Sequence, residues 1–134
     1  MTTTYFIVCS VFAPMVLLVV ETLFPYPYVF EELTKYILVS LLLKTGRGNT
    51  IYYIVLFGGV LFAFSESMLY LTNIFVKGMY VFFPMRIVFT SILHSGSMVM
   101  MCFGIKKGKY SGVLVLIISV ILHYLYNFWV VKFY

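Results

Sequence analysis

The sequence predicts an all-α polytopic membrane protein, built as a bundle of about five transmembrane helices. Of its 134 residues, 63% are hydrophobic and only 10% are charged, and the mean hydropathy is +1.09. A soluble domain of this size cannot bury so much apolar surface. The apolar residues also form long runs, and about 20 such residues in a helix cross the hydrocarbon core of a bilayer.

Five apolar runs fill most of the chain. The predicted spans are Tyr5–Phe24, Tyr28–Leu43, Ile51–Val76, Val81–Phe103 and Gly112–Val131. The joints between them are short, so we expect residues 1–134 to form a single transmembrane domain. The first run lacks the basic leader and small-residue cleavage site of a secretory signal, so it is predicted to remain as a helix.

The basic residues of the joints predict an orientation. Two joints carry most of them: Lys44 and Arg47 in one, and Lys106, Lys107 and Lys109 in the other. The positive-inside rule places these two joints, with the N-terminus, on the cytoplasmic side and the C-terminus on the opposite side. The formal charge of +5 does not indicate a nucleic-acid partner, because the basic residues form no patch interleaved with base-stacking aromatics.

Ionisable residues within the apolar runs are the main functional signal. The chain has no aspartate, and every glutamate and histidine lies inside or at the rim of a predicted span: Glu21, Glu31, Glu32, Glu66, His94 and His123. Each charge at mid-bilayer costs about 2.5 to 3.5 kcal/mol, so such groups need partners and usually have a function. Glu21, at the end of its span, is expected to face water or a basic partner.

Helical spacing places some of these groups on shared faces. Glu31 and Lys35 are four residues apart, close enough to form an ion pair. His123 and Asn127 are also four apart, so the imidazole and the amide point towards the same neighbour. We therefore expect a convergent polar site in one half of the membrane.

Four segments, in order, resemble the motifs of the PrsW-type glutamic intramembrane proteases, which belong to a wider group with the CAAX prenyl proteases. The segment Glu31–Lys35 is similar to the EExxK motif, and Gly59–Tyr70 resembles the second motif, a glycine and Phe-Ala leading to a glutamate. Arg86 followed by His94 resembles the third, and His123–Phe128 resembles the closing HxxxN motif. The resemblance covers about residues 30 to 131. Two positions depart from it: Ser67 stands where the family usually has asparagine, and Ser95 stands where it usually has a small apolar residue.

The resemblance implies a protease that hydrolyses membrane protein or lipidated peptide substrates in the bilayer without a metal or other cofactor. It implies a general base at Glu31 held by Lys35, a water-orienting His94, and oxyanion donors at His123 and Asn127. The implied catalytic residues are Glu31, Glu32, Glu66, His94, His123 and Asn127, and the implied supporting residues are Lys35 and Arg86.

Four alternatives remain open from the sequence. The glutamates and histidines are acceptable zinc ligands, although no H-E-x-x-H or similar pair is present. His94 and His123 are also a possible axial pair for haem. The same groups can form an interhelical hydrogen-bond network that only fastens the bundle. Finally, the chain can be a scaffold held by partner membrane subunits, like the γ-secretase scaffold component related to this protease group.

Overall fold

The protein is all-helical over the residues that the structure, a computed structural model, describes: 2–45, 48–78 and 80–131. Its helices are α1 (Thr3–Leu23), α2 (Pro27–Thr45), α3 (Thr50–Leu69), α4 (Leu71–Val76), α5 (Phe82–Lys107) and α6 (Lys109–Val131). This confirms the predicted fold class. The predictions for Arg47 and for the side chain of Glu21 fall outside the described residues.

Four helices, α1, α3, α5 and α6, are long and apolar enough to cross a membrane by length and composition. Helix α2 has 19 residues and thus a reach of about 28 Å, but Glu31, Glu32 and Lys35 make it more polar than the others. These three side chains are buried inside the bundle. The protein is therefore an integral membrane bundle, and a fifth crossing by α2 stays a prediction.

The third predicted span, Ile51–Val76, is broken at Tyr70 into α3 and the six-residue α4. No glycine or proline stands at the break. Instead, the Tyr70 N–H donates to the carbonyl of Met68, and the Tyr70 ring packs 4.1 Å beneath the guanidinium of Arg86. The prediction of one continuous helix was wrong because a side-chain contact with another helix, invisible in local sequence, accompanies the break.

The fourth joint is shorter than the predicted Gly104–Ser111. Helix α5 continues to Lys107 and α6 starts at Lys109, so Gly108 alone separates them. Gly108 has φ of 132°, a backbone conformation that side chains with a Cβ rarely adopt. The lysines beside it continue the helices past the apolar runs, which is why hydropathy ended both spans too early.

The long helices form a closed ring, and α5 is in contact with α2, α3, α4 and α6. Helix α3 packs between α1 and α5, and α2 packs against α1, α5 and α6. The ammonium of Lys106 lies 4.0 Å over the Tyr52 ring, so the end of α5 meets the start of α3. We call this the basic end of the bundle. The site end is the opposite one, where α2 and α5 begin and α3 and α6 end.

The core changes character from one end to the other. Near the basic end it is apolar, with buried side chains that include Leu42, Ile51, Val55, Met98 and Met101. Towards the site end the buried side chains of the same helices are polar or charged: Glu31, Glu32, Lys35, Glu66, Ser67, Thr90 and His94. An apolar half-core holds the bundle together, and a polar half-core forms the candidate site.

A glycine on α3 allows the closest helix approach near the site. A Cβ on Gly59 would lie 2.7 Å from the backbone nitrogen of Ser95 on α5, nearer than real side chains come. Glu66 lies two helical turns further along α3, on the same face as Gly59. The contact therefore holds α3 and α5 at the distance at which Glu66 and His94 meet.

Candidate active site

The first part of the site comes from α2. Nζ of Lys35 lies 2.5 Å from Oε1 of Glu32, and both side chains are fully buried. The sequence predicted Glu31 as the partner of Lys35, and that prediction was wrong. The three-residue spacing of Glu32 and Lys35 also allows a pair, and Glu31 is turned towards α6 instead.

His123 on α6 lies between the two adjacent glutamates of α2. Its Nδ1 is 2.8 Å from Oε1 of Glu32, and its Nε2 is 3.8 Å from Oε2 of Glu31. If Glu32 is ionised, it can only accept, so the Nδ1–H of His123 donates to it. In a neutral imidazole Nε2 then carries a lone pair, which faces the Glu31 side.

The second part of the site joins α3 to α5. Oε2 of Glu66 lies 2.7 Å from Nε2 of His94, and its Oε1 accepts a 2.9 Å hydrogen bond from Arg86. The contact with His94 is close, but it is not aligned as a hydrogen bond. One carboxylate thus links a fully buried histidine to an arginine that also stacks on Tyr70.

The two parts meet at the histidines. The rings of His94 and His123 are in edge-to-face contact, with centroids 5.2 Å apart and an interplanar angle of 88°. Phe62 packs beside both parts, since its ring lies 5.2 Å from that of His94 and 4.8 Å from the Lys35 ammonium. Four helices therefore contribute to one connected cluster.

A cavity of about 250 Å³ adjoins the cluster at the site end. It is lined by Pro27, Glu31, Glu66, Tyr70, Arg86, Asn127 and Val130. Asn127 reaches it from the helical turn that follows His123. The structure thus brings all eight sequence-predicted residues into or against one site, either in the cluster of ion pairs or in the cavity wall.

The cluster is close to electrically balanced. Three carboxyl groups, of Glu31, Glu32 and Glu66, face two basic side chains, Lys35 and Arg86, so the formal charge is −1 when all five are ionised and both imidazoles are neutral. One added proton brings the sum to zero. Each buried carboxylate has a cation or an imidazole within 4 Å, which is the condition under which such charges are tolerated in a low-dielectric interior.

A metal ion is possible at the centre of the cluster. One ligand atom each from Glu31, His94 and His123 lies within 4.8 Å of the others, and two histidines with a glutamate are a known catalytic zinc set. However, zinc bonds of about 2.0 to 2.2 Å in a tetrahedron keep ligand atoms roughly 3.3 Å apart. The side chains would have to close in to hold the ion.

Haem does not fit between the histidines. Bis-histidine ligation places the porphyrin plane between two axial imidazoles. The edge-to-face contact of His94 and His123 leaves no room for that plane. The arrangement of the two histidines in the structure therefore does not match haem ligation.

Sequence reasoning missed two hydroxyl groups that support the site. The hydroxyl of Ser67 lies 3.2 Å from that of Thr90, and Thr90 donates to the carbonyl of Arg86 at 2.5 Å. Thr90 lies four residues after Arg86 and four before His94, so it shares their helix face. That spacing was a usable signal.

Comparison with known proteins gives no further identification. No protein-family model, curated protein or solved structure matches the chain.

Proposed function

We propose that this protein is an intramembrane endopeptidase that cleaves membrane-anchored proteins with a water molecule activated by Glu31 and the two histidines. The observation that carries the proposal is the convergence of Glu31, His94 and His123 within 4.8 Å, inside the bundle and beside a polar-walled cavity. A buried base and paired imidazoles beside a cavity large enough for a water molecule are the arrangement that general acid–base hydrolysis needs.

Glu31 is the general base in this mechanism. It borders both the cavity and His123, whereas Glu32 is committed to Lys35 and His123. Glu31 takes a proton from the water as it attacks the peptide carbonyl. His123, fixed in orientation by Glu32, accepts that proton from Glu31 at its Nε2 and passes it to the leaving amine.

His94, buried behind the cavity wall, and Asn127, which lines the cavity, complete the proposed machinery. Glu66, itself held by Arg86, fixes the ring of His94 so that it orients the water. The amide of Asn127 lines the cavity and donates to the oxyanion. Glu66 and Arg86 are thus positioning residues, and no serine or cysteine nucleophile is required.

The test uses the full chain in lipid nanodiscs with a generic fluorogenic transmembrane peptide. We expect cleavage by the wild type, and its loss in Glu31→Gln, because the amide keeps the shape of the side chain and cannot accept a proton. Melting temperatures of the two proteins control for folding. Cleavage that survives in Glu31→Gln would remove Glu31 from the mechanism.

Zinc-activated water is a second mechanism, favoured by the two-histidine, one-glutamate set. In that case Glu31, His94 and His123 would hold the ion, which supplies a hydroxide near neutral pH. The same assay separates the two: the metal-free mechanism predicts activity that survives chelators. Abolition by a chelator with rescue by zinc would favour the metal.

A non-catalytic scaffold is the alternative function. It is favoured by the contacts of Glu32 on α2 with His123 on α6 and of Glu66 on α3 with Arg86 on α5, which hold helices together without any chemistry. If the wild type cleaves no peptide while Glu31→Gln and His94→Ala break up a larger membrane complex, the scaffold is the correct function.

A further inference from the structure

Helices α5 and α6 pack closely at one end and separate at the other. Near the basic end, a Cβ on Gly104 would lie 2.8 Å from the Val115 side chain, and one on Gly112 would lie 3.3 Å from that of Ile105. Towards the site end, the rings of Phe89 and Trp129 stand between the helices with centroids 6.1 Å apart. Small residues at one end and large ones at the other open a groove.

The groove has a volume of about 260 Å³, and its exposed lining is almost wholly apolar. Residues at helical spacing on both helices line it, among them Met85, Arg86, Phe89, Tyr126, Trp129 and Val130. Arg86 and Val130 also line the polar cavity of the proposed active site. The groove and the cavity are therefore neighbours that share a wall.

The charge of the groove favours a neutral apolar occupant. Among its described lining residues Arg86 alone is charged, and its guanidinium is bonded to Glu66 and stacked on Tyr70. It consequently offers little attraction to an anionic lipid headgroup. A substrate whose peptide bond is seated in the cavity, by contrast, would place the side chain of its adjacent residue at the wall that the cavity shares with the groove.

We infer that the groove between α5 and α6 is a specificity subsite, which receives a bulky apolar side chain next to the cleaved bond of the substrate. This inference rests on the proposed peptidase function. Burial of a phenylalanine side chain in such a groove is expected to favour a peptide by about 10- to 100-fold over its alanine counterpart.

The test compares transmembrane peptides that differ only in Phe or Ala beside the cleaved bond. Wild type in nanodiscs should prefer the Phe peptide by that factor in kcat/KM. Met85→Trp, which fills the groove, should reduce cleavage of the Phe peptide about 10-fold and leave the Ala peptide within about 2-fold. Val88→Trp, on the exposed face of the same helix, is the matched control and should change neither.

A second variant and a second measurement keep the test decisive. Phe89→Ala widens the groove and should shift the preference towards a Trp peptide, which covers the case that Met85→Trp does not fold. Equilibrium binding of the Phe and Ala peptides is measured in parallel. The wild type should bind the Phe peptide more tightly than the Ala peptide, and Met85→Trp should weaken binding of the Phe peptide alone.

The outcomes separate this inference from the proposed function. Cleavage of both peptides without a Phe preference overturns the subsite and leaves the peptidase standing. An equal effect of Met85→Trp on both peptides also overturns it, because the groove would then not distinguish the two side chains. If neither peptide is cleaved, the peptidase fails, and equal binding of the two peptides then overturns the subsite as well.

Discussion

At the scale of single residues, the buried charges of α2 illustrate why charged groups inside the bundle lie next to oppositely charged or titratable ones. Glu32 is fully buried and contacts both Lys35 and His123. In the membrane interior no water can replace a lost partner, so each group depends on the other two. Removal of one partner should therefore lower the free energy of unfolding by more than replacement of both partners would.

Lys35→Met should destabilise the protein by about 3 to 5 kcal/mol, because it leaves the Glu32 carboxylate buried without its cation. Thermal unfolding in nanodiscs measures the effect. Lys44→Met, at an exposed position on the same helix, is the control and should stay within about 0.5 kcal/mol. Adding Glu32→Gln to Lys35→Met should restore part of the lost stability. If the destabilisation of the double variant equals the sum of those of the two single variants, Glu32 and Lys35 do not interact.

Asn127→Ala should lower kcat about 100- to 1000-fold with a smaller effect on KM, because the proposed amide contact strengthens only in the transition state. Steady-state kinetics on the transmembrane peptide gives both constants. Asn73→Ala, an exposed asparagine on α4, should leave both unchanged. A raised KM with an unaltered kcat would mean that Asn127 binds substrate and transition state equally.

At the scale of the helices, the α3–α5 contact fixes the distance between the two walls of the site. Gly59 meets the backbone of Ser95, which is a neighbour of His94 in the chain. Backbone cannot move aside as the end of a flexible side chain can. A side chain at this position would therefore separate Glu66 from His94 along with the helices.

Gly59→Ala should destabilise the protein by about 1 to 3 kcal/mol through overpacking, and should reduce activity with it. Gly96→Ala is the matched control on α5, where a Cβ would meet nothing within 4 Å. There the better helix propensity of alanine should stabilise the protein by about 0.5 to 1 kcal/mol. Unfolding curves that rank the two variants in the opposite order would contradict the packing argument.

At the scale of the whole molecule, the ring of helices separates a basic end from a site end. The contact of Lys106 with Tyr52 brings the start of α3 to the end of α5. The two basic joints consequently lie at one end of the bundle, as expected if successive predicted spans cross the membrane in alternating directions. Which compartment this end faces is a prediction from the positive-inside rule.

Cysteine labelling tests that orientation in a background with Cys9→Ala and Cys102→Ala. Membrane-impermeant reagents should find the two basic joints on the cytoplasmic side and the other two joints on the opposite side. The reporter substitutions are Lys44→Cys and Lys107→Cys for the first pair, and Pro25→Cys and Lys77→Cys for the second. Labelling of Lys44→Cys and Lys107→Cys from opposite sides would show that the span count is wrong.

The fold class and the ionisable residues of the candidate site were predictable from the sequence. Apolar runs too long and too numerous for a soluble protein predicted membrane helices, and the charges inside those runs predicted Glu31, Glu66, His94 and His123 as neighbours. Both inferences follow from the cost of placing each group in lipid. That cost depends on residue type and position along the chain, which sequence contains.

The side-chain pairings and the helix boundaries, in contrast, depend on tertiary packing. It paired Lys35 with Glu32, broke the third span at Tyr70, reduced the last joint to Gly108, and opened the apolar groove beside Arg86. Helical periodicity gives the direction in which a side chain points from its own axis. It does not give the distance to the neighbouring helix or the rotamer that a partner selects, because both depend on how side chains from different helices pack together.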